Sequence, residues 1–564
     1  MLRYSHVIVG GGSAGCVLAS RLSERGDNRV LLIEAGPDLP PGKEPAAILD
    51  SYPGSAYLDA RFLWGERRVS IAPVGNGAPG ATLPQRRYEQ GRALGGSSAI
   101  NGQMANRGLP WDYEEWAARG ATGWGWHDVL PYFRKLETDL DCGGPLHGTS
   151  GPLPIRRVPR AAWPGHAQAF SRALAASGLP YLADQNGEFG DGHYPTPISN
   201  VDDHRVTAAM AWLPQAVRAR ANLTIRTGVP VRRLLFADRR ASGVALASGE
   251  EIAGDTIILS AGALITPELL LKAGIGPADD LRRLGSPVLH DSPGVGHGLS
   301  DHPSVAIASF LPRAARLKGE RRHIMLGLRF STDPARFPAG DMSALLSTRA
   351  AWHAVGQRLG TLAFWINRPC SESGRVQLAS GDGTAPARVD FDLLSDRRDV
   401  ERLMAGFRRM AAIYASPLLD GVVSDAFPAS YSEKVRQIGT INLRNRILTG
   451  IAALFLDGPA RLRRGFLERM VMEGETLAAL LADEAKLEAF VRTAVAGIWH
   501  ASCSCRMGAA HDRLTPLDPH GRVKGVGNLY VADASAFPAI PSANTNLPTL
   551  MLAEKIADHI KAGD

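Results

Sequence analysis

The sequence predicts an α/β chain of two domains, one wound around a mostly parallel sheet and one of α+β character built on an antiparallel sheet and helices. Three observations predict it. At 564 residues the chain exceeds what one hydrophobic core organises. Residues 6–34 read strand, glycine-rich turn, helix, strand. Strand-like runs such as Arg388-Val-Asp-Phe-Asp392 recur late in the chain, where an antiparallel sheet is expected to cover the site.

The first element, His6-Val-Ile-Val9, leads into Gly10-Gly-Gly-Ser-Ala-Gly15, a helical stretch through Leu22, and Arg29-Val-Leu-Leu-Ile-Glu34. This is the Rossmann-like pattern of a dinucleotide site. Gly10 permits the tight turn, Gly12 and Ser13 bring backbone amides to a pyrophosphate at the positive end of the helix, and Gly15 lets helix pack closely on strand. Glu34 ends the second strand, where its carboxylate accepts from an adenosine ribose. An acid there selects against a 2′-phosphate and leaves NAD and FAD both open.

Composition narrows the class. With 45% hydrophobic and 21% charged residues the chain is an ordinary globular protein. The net charge of +7 is a small difference between 63 basic and 56 acidic residues spread along the chain, so no nucleic-acid partner is expected. Cys16, Cys142, Cys370, Cys503 and Cys505 are odd in number and irregular in spacing, which fits a reducing cytoplasm better than a disulfide framework. The apolar N-terminus carries three adjacent glycines and no cleavage site, against a signal peptide, and no run reaches the roughly 20 apolar residues of a membrane span.

Further along, Tyr88-Glu-Gln-Gly-Arg-Ala-Leu-Gly-Gly-Ser-Ser-Ala-Ile-Asn101 resembles the second flavin-contacting segment of the glucose-methanol-choline (GMC) oxidoreductases. Residues 260–277 and 294–303 resemble further segments of that family, and the likeness runs over nearly the whole chain. The resemblance implies FAD. Small residues at Gly95, Gly96 and Ser97, with Asn101, let backbone lie against a flat isoalloxazine and its ribityl chain. Asp533, in Leu529-Tyr-Val-Ala-Asp-Ala-Ser535, matches the aspartate beside the ribityl and pyrophosphate groups. The resemblance adds Ala14, Ala35, Arg92, Gly102, Val231, Ala261, Ala534, Asn544 and Thr545 to the cofactor side. Some relatives tether FAD through a histidine where this chain has Ile100, which implies a noncovalent flavin.

The chemistry is carried by Trp499-His-Ala-Ser-Cys-Ser-Cys-Arg-Met-Gly508 and by residues 541–555, where the resemblance assigns His500 and Asn546 as the catalytic pair. Alcohol oxidation removes a hydroxyl proton and a carbon-bound hydride. A neutral imidazole takes the proton, flavin N5 takes the hydride, and an amide holds the oxygen. His500, Cys503 and Cys505 are also zinc-type ligands, but no second ligand pair accompanies them and no metal is expected. Cys503 stands where the family usually has glycine. It reads as packing, or as an oxidation-prone thiol if exposed.

Residues 106–110, 364–367, 391–396 and 499–502 resemble family members acting on aryl and furanic alcohols. They imply oxidation of a primary alcohol, or a hydrated aldehyde, with O2 reduced to H2O2. Trp365 and Trp499 are expected in the substrate pocket, and Trp365, a lone aromatic, reads equally well as core. A quinone- or dye-linked dehydrogenase and a redox-silent hydroxynitrile lyase share the fold. The expected FAD domain comprises residues 1–155, 205–310 and 495–564, and the substrate domain 156–204 and 311–494. Residues 443–472 set six arginines against Asp457 and Glu468 among many apolar residues, with Gly458 and Pro459 dividing two helices. A lid, a subunit interface or contact with an anionic membrane are the readings of that segment.

Overall fold

The computed structural model describes residues 3–65, 67–71, 85–470 and 475–563. A seven-stranded sheet runs in the order Leu223–Arg226, Val30–Ile33, Arg3–Val9, Glu251–Leu259, Arg240–Leu246, Val231–Ala237, with Leu529–Val531 added beside Glu251–Leu259. The pairs from Leu223–Arg226 through Glu251–Leu259, and the added strand, are parallel; the last two strands of the order are antiparallel. Val30, Leu31, Leu32 and Ile33 are all buried, as expected of a parallel strand covered on both faces. The glycine turn works as the sequence predicts. Gly10 has φ +102° and its N–H donates to the Ile33 carbonyl at 2.8 Å, while a side chain at Gly15 would overlap the Gly10 carbonyl. Helix Ser13–Leu22 packs on the C-terminal helix Asn546–Ala562, so the two ends of the chain close one core.

A second seven-stranded sheet is antiparallel throughout, in the order Ser424–Ala429, Pro303–Phe310, Leu359–Ile366, Met342–Ser347, Ile324–Phe330, Gly192–Pro195, with Ala496–Gly497 beside the start of Pro303–Phe310. Helix Arg397–Tyr414 covers it and shares its core. Two expectations need correction. Pro303–Phe310 and Ala496–Gly497 belong to this sheet, so the chain leaves the first sheet's unit before Pro303 rather than near 310, and re-enters it after 497. Arg388–Asp390 lies in a separate five-stranded sheet, between Gly374–Gln377 and Arg68–Ser70, and not in the large antiparallel one.

Gly458 and Pro459 separate helices Leu443–Asp457 and Ala460–Met470 as their sequence predicts; residues 471 and 472 of that basic segment lie outside the described residues. No helix among the described residues is long and apolar enough to cross a membrane.

Candidate active site

The site forms where the chain passes from one sheet to the other. Asp301 and His302 immediately precede strand Pro303–Phe310, His500 follows Ala496–Gly497, and Asn544 lies in the loop before helix Asn546–Ala562. Asp301, fully buried, fastens these segments together. Its Oδ1 accepts from the backbone N–H of His302 at 2.7 Å, His500 at 3.0 Å and Ile498 at 3.2 Å, and its Oδ2 accepts from the Tyr88 phenol at 2.8 Å. The Tyr88 oxygen in turn accepts from the Ala501 N–H at 3.1 Å. Burial pushes the Asp301 carboxyl up to about 6, and its donors restrain the rise because they favour the carboxylate. A side chain at Gly497 would collide with this carboxylate, which accounts for the glycine.

His500 Nδ1 lies 2.8 Å from His302 Nδ1, and His500 Nε2 lies 3.0 Å from Asn544 Nδ2. The network assigns the protons. His302 Nε2 is 3.1 Å from the Pro541 carbonyl oxygen, which can only accept, so His302 carries its proton on Nε2 and presents a lone pair at Nδ1. His500 therefore carries its proton on Nδ1 and donates it to His302. Its Nε2 is left as a lone pair beside the Asn544 amide. Burial holds His302 down at about 3 and His500 well below the usual imidazole value, the neighbouring His302 adding to the effect on His500. Both rings are neutral at neutral pH.

His500 and Asn544 open onto a cavity of about 630 Å³. Its walls include Gly10, Gly12, Ser13, Ala14, Glu34, Ala35, Gly96, Ser97, Asn101, Gly102, Val231, Ala261, Asp533, Ala534 and Thr545, together with Trp365 and Trp499. Gly15, Arg92 and Gly95, also expected at the cofactor, support the walls from behind. Gly95 turns the chain at φ +100° and donates to the Gly11 carbonyl at 2.7 Å, and Arg92 Nη2 donates to the Ala35 carbonyl at 3.0 Å. Glu34 accepts from the Gly11 and Gly36 amides at 2.8 and 2.7 Å. Asp533 accepts from the Gly262 amide and the Thr266 hydroxyl at 2.9 and 2.6 Å.

These walls suit a dinucleotide. A side chain at Gly96 would come within 2.7 Å of the Gly12 Cα, so the two glycine loops meet backbone to backbone, the close approach that a dinucleotide pyrophosphate requires. Ser260 Oγ and Gln90 Oε1, from cavity-lining residues, are buried without a protein partner, as befits groups that meet a polar ligand.

At the outer end Trp499 packs edge-on against Tyr57 and Tyr431, each with ring centroids 5.5 Å away, and the two phenol oxygens are 2.6 Å apart. Trp499 Nε1 donates to Glu89 at 2.9 Å, and Glu89 is paired with Arg436 of helix Glu433–Gly439.

Residues 4–304 and 369–553 match the GMC oxidoreductase family. The chain belongs to that family. It is 43% identical to 5-(hydroxymethyl)furfural oxidase of Methylovorus sp. (strain MP688), over 99% of this chain and 98% of that protein. It is 32% identical to human mitochondrial choline dehydrogenase, covering 99% and 90%. Among solved structures, pyridoxine 4-oxidase superposes with a TM-score of 0.80 at 28% identity, covering 99% of each chain. A fungal aryl-alcohol oxidase, at a TM-score of 0.75 and 20% identity over 100% and 99%, shares the fold. As a GMC oxidoreductase the chain is an FAD-dependent enzyme acting on CH–OH groups.

One expected site residue is misplaced. Asn546 does not reach His500; its Oδ1 accepts from Ser13 Oγ at 2.7 Å, at the dinucleotide end, and Asn544 takes the place beside the imidazole. Asn546 is the first residue of its helix and Thr545 its cap, so it already turns with the helix, while Asn544 is held in the loop by its N–H to Asn106 Oδ1 at 2.9 Å. No spacing rule points to His302, Asp301 or Tyr88, although all three sit inside the family-like segments.

The zinc reading finds no support, since both His500 nitrogens face His302 and Asn544. Among the described residues Asp139, Cys142 and His147 come together as a set of ligand type. There His147 lies between Asp139 and Asp184, whose carboxylates raise it to about 10 against its burial, and Arg157 bridges the same two acids, which makes an ion-pair cluster. Cys503 is fully buried at φ +69°, and burial pushes its thiol up. The left-handed backbone explains why glycine suits this position, and the thiol is packing rather than an exposed redox group.

Proposed function

We propose that this enzyme oxidises primary alcohols of the aryl or furanic class, and hydrated aldehydes, to carbonyl compounds with O2 reduced to H2O2. The observation that carries the reading is the lone pair of a neutral, buried His500 Nε2, held beside the Asn544 amide in a cavity whose other end is a dinucleotide cradle. Two relatives are named as oxidases of 5-(hydroxymethyl)furfural and pyridoxine, both aromatic rings bearing hydroxymethyl groups. The aromatic set Tyr57, Tyr431 and Trp499 offers ring edges and faces to such a planar substrate.

Gly12, Gly96, Glu34 and Asp533 would hold the FAD, and Ile100, which offers no nucleophile, leaves it noncovalent. When bound, the flavin supplies the hydride acceptor and passes the electrons on. The chain's own residues do the rest. Asn544 Nδ2 donates to the alcohol oxygen and fixes it near His500, and His500 Nε2 takes the hydroxyl proton as the C–H bond is broken. His302 keeps the His500 proton on Nδ1, so Nε2 is free to accept. The burial that lowers His500 keeps it unprotonated at neutral pH.

Anaerobic mixing with a panel of alcohols tests the reading through bleaching of the flavin. His500→Ala should slow bleaching on the order of 10²- to 10⁴-fold, and bleaching at the parental rate would remove His500 from the role. Oxygen uptake matched by peroxide separates an oxidase from a dye-linked dehydrogenase. Acid precipitation that leaves the flavin in the supernatant supports the noncovalent assignment.

A further inference from the structure

Helix Leu443–Asp457 is built inside out. Its buried face offers Thr449, Ala453 and Leu456 to the body, whereas Leu443, Ile447, Ile451, Leu454 and Phe455 point outward. Leu443 and Leu454 are each 71% exposed, and Leu462 of the next helix is 59% exposed. A helix on a water-facing surface carries the opposite pattern, and an apolar face of this extent marks a contact surface.

Charge says what that contact is. Asp425 is occupied by Arg463 and Arg464, and Asp457 by Arg316 and Arg358, so these acids are turned toward the body. Arg444, Arg446 and Arg461 are exposed, with no carboxylate partner among the described residues. A second copy seated on the same face would bring these cations against their own kind, while an anionic sheet of headgroups neutralises them and takes the apolar side chains beneath. The face also continues into the cavity, because helix Glu433–Gly439, just upstream, lines it through Val435, Arg436 and Gly439.

We propose that this face docks on the surface of an anionic lipid bilayer, setting the cavity wall formed by Glu433–Gly439 next to alcohols dissolved there. The flavin-loaded enzyme is sedimented with vesicles of phosphatidylcholine alone and of phosphatidylcholine mixed with phosphatidylglycerol, at low and high salt. It should sediment only with the anionic vesicles and be released by salt. The triple variant Arg444→Gln, Arg446→Gln, Arg461→Gln should partition on the order of 10²-fold more weakly, and Leu454→Gln with Phe455→Gln should also lose binding. Both variants should keep the parental flavin spectrum and thermal midpoint. Failure to sediment with anionic vesicles, equal sedimentation with phosphatidylcholine alone, or a parental dimer that Phe455→Gln converts to monomer overturns the proposal, the last by showing that a second copy covers the face.

Discussion

Replacing His302 with phenylalanine isolates what the second imidazole does for the first. Phenylalanine fills a similar volume at a fully buried position but has no lone pair for the His500 Nδ1–H that now lies 2.8 Å from its acceptor. That donor then remains buried and unpaired, at a cost of about 1–3 kcal/mol. Otherwise His500 adopts the other tautomer, whose Nε2–H cannot take a proton. In both cases the competent state loses about that much free energy, and at about 1.36 kcal/mol per factor of ten the bleaching rate constant falls roughly 5- to 150-fold. The assay is anaerobic flavin bleaching at saturating alcohol across pH. In the parent the rate should be level above pH 6.5 and fall only in acid, because burial and then His302 hold His500 low. In the variant that neighbour and the acceptor of the Nδ1–H are both gone, so the acid limb leaves its parental position. His302→Gln, whose amide can accept from His500 and donate to the Pro541 carbonyl, should restore part of the rate. Parental rates with an unmoved acid limb in His302→Phe would refute the tautomer argument, since a merely structural role lowers the thermal midpoint and leaves the pH profile alone.

Exchanging each asparagine for alanine separates the two ends of the cavity. Asn544→Ala should slow bleaching on the order of 10²- to 10³-fold, whereas Asn546→Ala, which loses the Ser13 hydrogen bond, should shed flavin yet leave the loaded fraction within a few-fold of the parent; the reverse pattern would return the catalytic role to Asn546. Thermal stability should fall as the pH drops from 6.5 toward 4. Burial holds His166 and His302 at about 3 and His353 at about 4, so below 6.5 the unfolded chain binds protons that the native chain refuses. Asp301, raised to about 6, works the other way between its unfolded value and 6, as do Glu34, Asp112, Asp341 and Asp533, which burial also raises, but these five are outnumbered by nine histidines that burial lowers. A midpoint at pH 5 equal to that at pH 7 would contradict this balance. A maleimide should label Cys142 and Cys370 in the native enzyme and reach Cys16, Cys503 and Cys505 only after unfolding, before and after turnover alike. Turnover-dependent labelling of Cys503 would reinstate it as a redox group.

The strand, glycine turn and helix of residues 3–22 were legible because their signal is local. Gly10, Gly12 and Gly15 encode a backbone path within six residues, and the strand, turn and helix they demand need no distant partner. The choice between Asn544 and Asn546 was not legible, because it turns on where a helix begins. That boundary is set where Asn546 meets Ser13 from the other end of the chain, and helix ends are the part of an element that local propensity specifies least. His302 was hidden for another reason: it stands 198 positions from His500, and no spacing rule connects them. The boundary expected near 310 fails for a reason that bears on mechanism. Pro303 already begins a strand of the second sheet, and the residues just before it, Asp301 and His302, hold the loop that carries His500. The carboxylate that fastens residues 88, 302, 498 and 500 thus sits at the crossing between the two sheets. His500 is aimed by the seam itself, and a change that loosened one sheet from the other would move Nε2 before it touched any wall of the cavity.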